Sequence, residues 1–480
     1  MIDLLITGGT IVTMDPQRRV ITGGAIAVDE GRIVAVDQNL PDYKARKTID
    51  ASGCVVCPGL INAHTHIYQA LIEGIGYDMH FDPWNWRFLF PIVSQIGPTH
   101  AEVSAQVAAL EMIKSGTTTV SDHWYLHTDF DNVHRVAETL RQAGLRHHVV
   151  YGLLDQTFAG ARIDSEYMTM IRREEALIEA AEDFIARWHR QGRTVVALGP
   201  GSTEDISDRL MHKTIEMARQ RGLQLATHVA GWAEIVTYAI KNYALRDLEY
   251  AHSLGLTGPD AILFHAVWLS PREVQLVAES GSKIVHCPVA NAHLAYGIAP
   301  VAELRAKGVT VGLGTDGAAS YTYDLFEVMK MAAMLQKVKH LDAEVLTAED
   351  ALEMATIEGA KVLSLEEQVG SLEPGKRADI ILVDFAQPHL MTAHQVVPKL
   401  VYSARGHDVV TSIIDGQVVM ENRRVLTMDE AEVLKRARQA TADLVSRAGI
   451  ETHDLLEAPW PEQGPRWREA VTSEWFKTRK

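Results

Sequence analysis

Along the first fifty residues, apolar and alternating stretches at 4–14, 25–29 and 32–36 are punctuated by Gly8-Gly9, Gly23-Gly24 and Glu30-Gly31. Short strands separated by turns have this texture. It returns late in the chain, at 378–384 and 410–419. Strand-rich segments at both ends, with a middle of different character, predict one small β-sandwich domain formed from both termini.

The middle alternates strand-like runs with stretches of helical periodicity. The runs lie at 55–62, 117–122, 146–153, 194–198, 223–228, 261–265, 283–286 and 310–316, and the clearest helices at 101–115, 207–220 and 325–335. The first of these helices ends on Gly116, a good C-terminal cap. Eight β/α units over roughly 300 residues predict an α/β fold of the TIM-type (β/α)8 barrel class. The implied division is 1–57 for the N-terminal part of the β-sandwich, 58–366 for the barrel, 367–426 for the C-terminal part of the sandwich and 427–480 for a helix and tail. The mixed-charge helix at 430–447 and the tail after it are expected to pack back on the body or on a neighbouring subunit.

Composition narrows the function classes. A chain of 480 residues accommodates a barrel and a satellite domain. Hydrophobic residues at 47% and charged residues at 22% are ordinary for a globular enzyme. A net charge of −16, with no Lys/Arg run, argues against a nucleic-acid partner. No apolar run is long enough for a bilayer span, and residues 1–6 lack the basic stretch and long apolar core of a signal peptide. Cys54, Cys57 and Cys287 give no disulfide framework, and Cys54-x-x-Cys57 lacks the two further ligands of a structural zinc site. The expectation is a cytoplasmic protein acting on a small-molecule substrate, with no membrane or nucleic-acid partner.

Candidate chemistry sits at the strand ends. His64-Thr65-His66 closes the first run, and residues two apart on a strand share a face, so both imidazoles can hold one metal ion. Asp122-His123 ends the second run, His228 the fifth, His265 the sixth, His286 the seventh and Asp316 the eighth. In a TIM barrel that rim carries the active site. A lone histidine is more often a satisfied structural group than a ligand. Several converging imidazoles with an aspartate instead supply the nitrogen and oxygen donors of a first-row divalent ion.

These residues lie in longer motifs: Pro58-Gly59-Leu60-Ile61-Asn62-Ala63-His64-Thr65-His66, Ser115-Gly116-Thr117-Thr118-Thr119, Thr227-His228-Val229, His286-Cys287-Pro288-Val289-Ala290-Asn291, Gly314-Thr315-Asp316-Gly317 and 370–380. In their order and spacing the chain resembles the amidohydrolase superfamily, in particular the branch of s-triazine hydrolases, atrazine chlorohydrolase and the adenosine-type and oxoguanine deaminases. The resemblance covers nearly the whole chain. It implies a homo-oligomeric enzyme with one divalent metal ion per subunit, Zn²⁺ or Fe²⁺, held by His64, His66, His228 and Asp316. It also implies His265 beside the activated water. Asp316 then takes a proton from that water as it attacks an sp² carbon, and His265 hydrogen-bonds the nucleophile or the developing charge. A second metal would want a bridging carboxylate or lysine at the end of the fourth strand, where Leu198-Gly199-Pro200 offers neither.

One position departs from the pattern. Deaminases of this branch carry a glutamate three residues after the fifth-strand histidine, where it passes protons to the leaving amine; here that position is Gly231. Glu234, about one helical turn on, is a candidate shuttle or else an ordinary solvated helix carboxylate. His123, His286 and a water chain are other candidates. The loss favours substrates whose leaving group needs less protonation, such as a chloride, a thiolate or a ureido nitrogen.

Substrate contacts are expected from Gln69, from Trp86 within the aromatic loop 77–90, from His123 and from Asn291. Each also has a plain structural reading: a helix-start polar group, loop packing, a buried core histidine and a turn-fixing amide. The expected activity is metal-dependent hydrolysis of a C–N, C–Cl or C–S bond in a small nitrogen-rich compound such as a triazine, a pyrimidine-like ring or a ureido compound. Its alternatives are hydrolysis of a linear carbamate, thiocarbamate or urea, and a non-catalytic assembly protein on the same fold. A complete metal site argues against the last.

Overall fold

Gly59 divides the apolar run at 55–62 between two sheets. In the computed structural model, which describes residues 1–157, 165–392 and 394–450, Cys54–Pro58 joins one sheet and Leu60–Thr65 the other. The single strand expected there is therefore two strands. The reason is tertiary: a Cβ at position 59 would lie 2.2 Å from the Thr118 side chain on the neighbouring strand, so only glycine lets the chain pass and change sheets.

Leu60–Thr65 opens a sheet of eight parallel strands in chain order, followed by Thr117–Trp124, Arg146–Leu153, Thr194–Pro200, Leu225–Val229, Ala261–His265, Lys283–His286 and Val311–Leu313. All eight are almost wholly buried, as strands wrapped by helices must be. A single bridge between Thr65 and Asp316 brings the last strand back to the first. There the Asp316 N–H donates to the His64 carbonyl at 3.0 Å, and the Asn62 amide bonds Thr315 twice, at 2.8 and 3.1 Å. The eighth strand is shorter than the run at 310–316. A Cβ at Gly314 would meet His64 at 2.9 Å, and Asp316 turns off the strand with φ of 66°.

The termini meet in a mixed nine-stranded sheet. Its order is Arg424–Val425, Gln417–Glu421, Val409–Ile414, Ile380–Asp384, Cys54–Pro58, Ile2–Val12, Val20–Asp29 and Arg32–Asp37, with Ala45–Asp50 also paired to Ile2–Val12. The run at 410–419 is a hairpin rather than one strand, turning at Asp415-Gly416 with both φ values positive (55° and 76°), the conformation an Asp-Gly turn favours. Side chains alternate between two cores. Val56, Ile380 and Leu382 pack with Ile6 and Ile26, whereas Val55, Cys57, Ile381 and Val383 pack into the large cluster of the barrel and its helices.

The expected mixed-charge helix, Glu430–Arg447, does pack back on the body. It bonds the helix Pro98–Lys114 through Arg436 to Glu102, Lys114 to Glu430 and His100 to Asp443. The tail expected at 451–480 lies outside the described residues. Among those described, no helix is long and apolar enough to cross a membrane.

Candidate metal centre

The strand ends bring His64, His66, His228 and Asp316 together, with one donor atom from each within 4.8 Å of all the others. All four are buried. Two backbone carbonyls fix the tautomers: His66 Nδ1 donates to His123 O at 2.7 Å, and His228 Nδ1 donates to Gly201 O. Each Nε2 is then a bare acceptor, yet the two lie 3.2 Å apart. His64 stacks on Phe264 at a centroid distance of 3.8 Å, and neither of its ring nitrogens finds a hydrogen-bond partner. Asp316 Oδ1 lies 3.3 Å from His66 Nε2 and 3.5 Å from His64 Nε2.

Acceptors that converge without a donor are costly unless a cation lies among them. Three neutral imidazoles and a carboxylate therefore fit a first-row divalent ion. Burial holds His64 neutral, its pKa pushed down to about 3, and also holds His66 and His228 below the usual histidine range. For Asp316, burial opposes ionisation, but the adjacent imidazoles of His64, His265 and His66 outweigh it and hold the carboxyl well below the usual carboxylate range.

His265 stands beside the cluster, Nε2 3.8 Å from Asp316 Oδ2. Its Nδ1 donates to Asn291 Oδ1 at 2.9 Å. Both His265 and Asp316 have left-handed backbones, φ 68° and 66°, a strained conformation for such residues. His66, His228, Asp316 and His265 line a cavity together with Phe81, Trp84, Tyr125, Trp232 and Tyr296, and His64 lies buried beside them.

Residues 55–419 match the model of the amidohydrolase family. The chain belongs to the amidohydrolase family. It is a hydrolytic enzyme of that family, built on the family's barrel with a mixed sheet from both termini. The 5'-deoxyadenosine deaminase of Methanosarcina acetivorans is 36% identical over 451 residues, 93% of this chain and 100% of that protein. The 5-methylthioadenosine/S-adenosylhomocysteine deaminase of Desulforudis audaxviator is 38% identical over 88% of this chain and 95% of its own. Among solved structures, an adenosine deaminase from Xanthomonas campestris with bound zinc superposes with a TM-score of 0.85 at 30% identity, covering 93% of this chain and 99% of that one. A point mutant of atrazine chlorohydrolase from Arthrobacter aurescens, complexed with zinc and atraton, shares the fold at a TM-score of 0.85 and 24% identity, over 91% and 100% of the two chains.

The other candidate residues of this amidohydrolase are placed unevenly. Gln69 lines the cavity, with its Oε1 accepting the Ala318 N–H at 2.9 Å. Glu234 lines it from the first turn of the helix Ala233–Tyr243 and is exposed. Trp86 does not line it; this ring packs on Phe90 at 5.0 Å, and Trp84 takes the wall position. His123 is buried behind the centre, stacked 5.2 Å from His228. Asn291 reaches the cavity only through His265. His286 is buried and lies off the cavity lining. Sequence reasoning missed Glu204 and Asp205, which line the cavity from the loop after the fourth strand. Extending the strand-end rule a few residues past Pro200 finds both.

Proposed function

We propose that this amidohydrolase is a mononuclear metal-dependent hydrolase that cleaves a C–N bond at an sp² carbon of a small, flat, nitrogen-rich compound. The observation that carries this reading is the convergence of four donor atoms of buried residues within 4.8 Å, three of these residues lining a cavity rich in aromatic side chains. His64, His66, His228 and Asp316 would hold one divalent ion. Zinc is favoured by the zinc-bearing deaminase structure, and Fe²⁺ is the other ion that the donor set suits. When bound there, the ion supplies Lewis-acid activation of water and of the carbon under attack.

The chain's own residues do the rest. Ionised Asp316 accepts the proton lost by the attacking water. His265, oriented by Asn291, presents Nε2 to the nucleophile or to the charge that develops. Phe81, Trp232 and Tyr296 pack within 5.0 to 5.7 Å of one another and offer stacking surface for a planar group. The relatives named as deaminases support an amine or ammonia as the leaving group.

A second reading is favoured by Gly231. No carboxylate stands at this position beside His265 to protonate a leaving amine, so a group that departs without a proton, a chloride or the thiolate of a thiocarbamate, is better matched, and the nitrogen of a linear carbamate or urea would take its proton from solvent water. Product analysis by mass spectrometry on zinc-loaded enzyme separates the two. The panel would hold aminated and chlorinated triazines, aminopurines, guanylurea-like compounds and thiocarbamates. Ammonia released from a ring supports deamination; turnover confined to halide, thiol or ureido substrates supports the second reading; and no metal-dependent turnover on any of them overturns both.

A further inference from the structure

The cavity wall is strongly acidic. Besides Asp316, its lining includes Asp82, Glu204, Asp205 and Glu234, with no lysine or arginine among the described lining residues. Most of the acids in this region are already committed or face solvent. Asp205 accepts from the Tyr167 hydroxyl and the Ser202 hydroxyl, both at 2.9 Å. Asp247, packed behind the wall, accepts from the Thr203 hydroxyl at 2.6 Å and the Ala230 N–H at 2.7 Å. Asp82 and Glu234 are exposed. Glu204 differs: it is only 7% exposed, and no hydrogen bond or ion pair reaches its carboxyl among the described residues.

We propose that Glu204 anchors a cation subsite in this cavity, and that the substrate therefore carries a protonated nitrogen, as an amidinium, guanidinium or ammonium group, in addition to the bond that is cleaved. This rests on reading the cavity as the substrate site. A buried carboxylate without a partner is costly, and a ligand cation forming charge-assisted hydrogen bonds removes that cost. Burial, then Asp205, Asp247 and Asp82, push the Glu204 carboxyl well above the ordinary carboxylate range, which favours its protonated form when no cation is bound; a bound cation offsets both causes and favours the carboxylate. Aromatic faces at Trp232 and Tyr296 add cation–π attraction to the same charge type. Anionic compounds, such as nucleotides or carboxylated substrates, meet like charge on this wall.

Calorimetric titration of the zinc-loaded enzyme with benzamidinium, its neutral isostere benzamide and benzoate tests the subsite without requiring turnover. Benzamidinium should bind roughly tenfold or more tightly than benzamide, with benzoate weakest, and Glu204→Gln should bring benzamidinium down to the benzamide level. Equal binding of the charged and neutral ligands to the wild type overturns the proposal, whether or not the variant folds. So does a preference retained in a Glu204→Gln protein of native circular dichroism. Failure of the hydrolysis panel would instead strike the proposed reaction and leave this binding result standing.

Discussion

His66 Nε2 and His228 Nε2 face each other at 3.2 Å, although each ring donates its only proton to a backbone carbonyl on its far side. Two lone pairs directed at one point define where a cation belongs. His228→Ala should therefore strip the metal and abolish turnover while leaving the barrel folded. Metal content by mass spectrometry, with circular dichroism, checks this; normal metal content with retained activity would remove His228 from the site. Chelation of the wild type should likewise stop turnover, and added Zn²⁺ should restore it.

Asn291 accepts from His265 Nδ1 at 2.9 Å and is not among the residues that line the cavity, which predicts an orienting role. Asn291→Leu keeps the approximate volume and removes the acceptor. Turnover should fall about 10- to 100-fold, as for other groups that orient a site residue, with metal content unchanged and the loss in kcat more than in KM. A change confined to KM would place Asn291 against the substrate instead.

Gly231 leaves space where a carboxylate would be useful. A Cβ built there lies 3.5 Å from His265 Cβ and Cδ2, ordinary contact, and its φ is not left-handed. Gly231→Glu should therefore fold normally and raise kcat/KM for amine-releasing ring substrates by roughly tenfold or more, the lower part of the range for general acid catalysis. Glu234→Gln should barely slow the wild type, because Glu234 is a solvated residue of a helix first turn. A loss of several orders of magnitude in that variant would make Glu234 the shuttle.

The strand-end histidines were legible because one local rule, alternation along a buried strand, places them on the barrel rim. The eight-fold alternation of strand and helix was legible for the same reason. What escaped depends on tertiary contact. Gly59 splits a continuous apolar run because Thr118 lies across from it. Trp84 rather than Trp86 faces the cavity because the aromatic loop coils into the short helix Phe81–Trp84 before it, and no periodicity marks that choice in advance. Glu204 sits in a loop, where its want of a partner is a property of the surroundings alone.

Arg146 and Asp379 join the barrel to the terminal sheet through a two-pronged ion pair, at 3.0 and 3.2 Å, with side chains only 5% and 2% exposed. Breaking a buried pair leaves one charge uncompensated. Asp379→Ala should cost about 3–5 kcal/mol of stability and also free the Asp415 N–H that Asp379 Oδ1 accepts at 2.8 Å. Urea unfolding measures it. A cost below about 1 kcal/mol, the scale of an exposed pair, would mean that this pair adds little to the other contacts that hold the two sheets together.

His147 and His148 lie fully buried on the third barrel strand, and burial pushes their pKa values down to about 3 and about 4. In the unfolded chain both titrate near 6.5. Between these values the unfolded state binds more protons than the native state, so the contribution of each histidine is fully present above about pH 6.5 and is lost as pH falls towards its native value. Buried carboxyls of opposite sign, Asp122 raised to about 7 and Glu73 raised to about 8, complicate the wild-type curve. They are common to wild type and variant, so the difference between the two isolates the histidine. His147→Gln should be less stable than the wild type at pH 7, and that deficit should shrink by about 1.4 kcal/mol per pH unit between pH 6 and pH 4. His148→Gln should behave alike, although it also changes the 2.9 Å bond between Ser121 Oγ and His148 Nδ1. Unfolding free energies at four pH values suffice; a deficit independent of pH would show that these imidazoles take up protons in the folded state as readily as in the unfolded one.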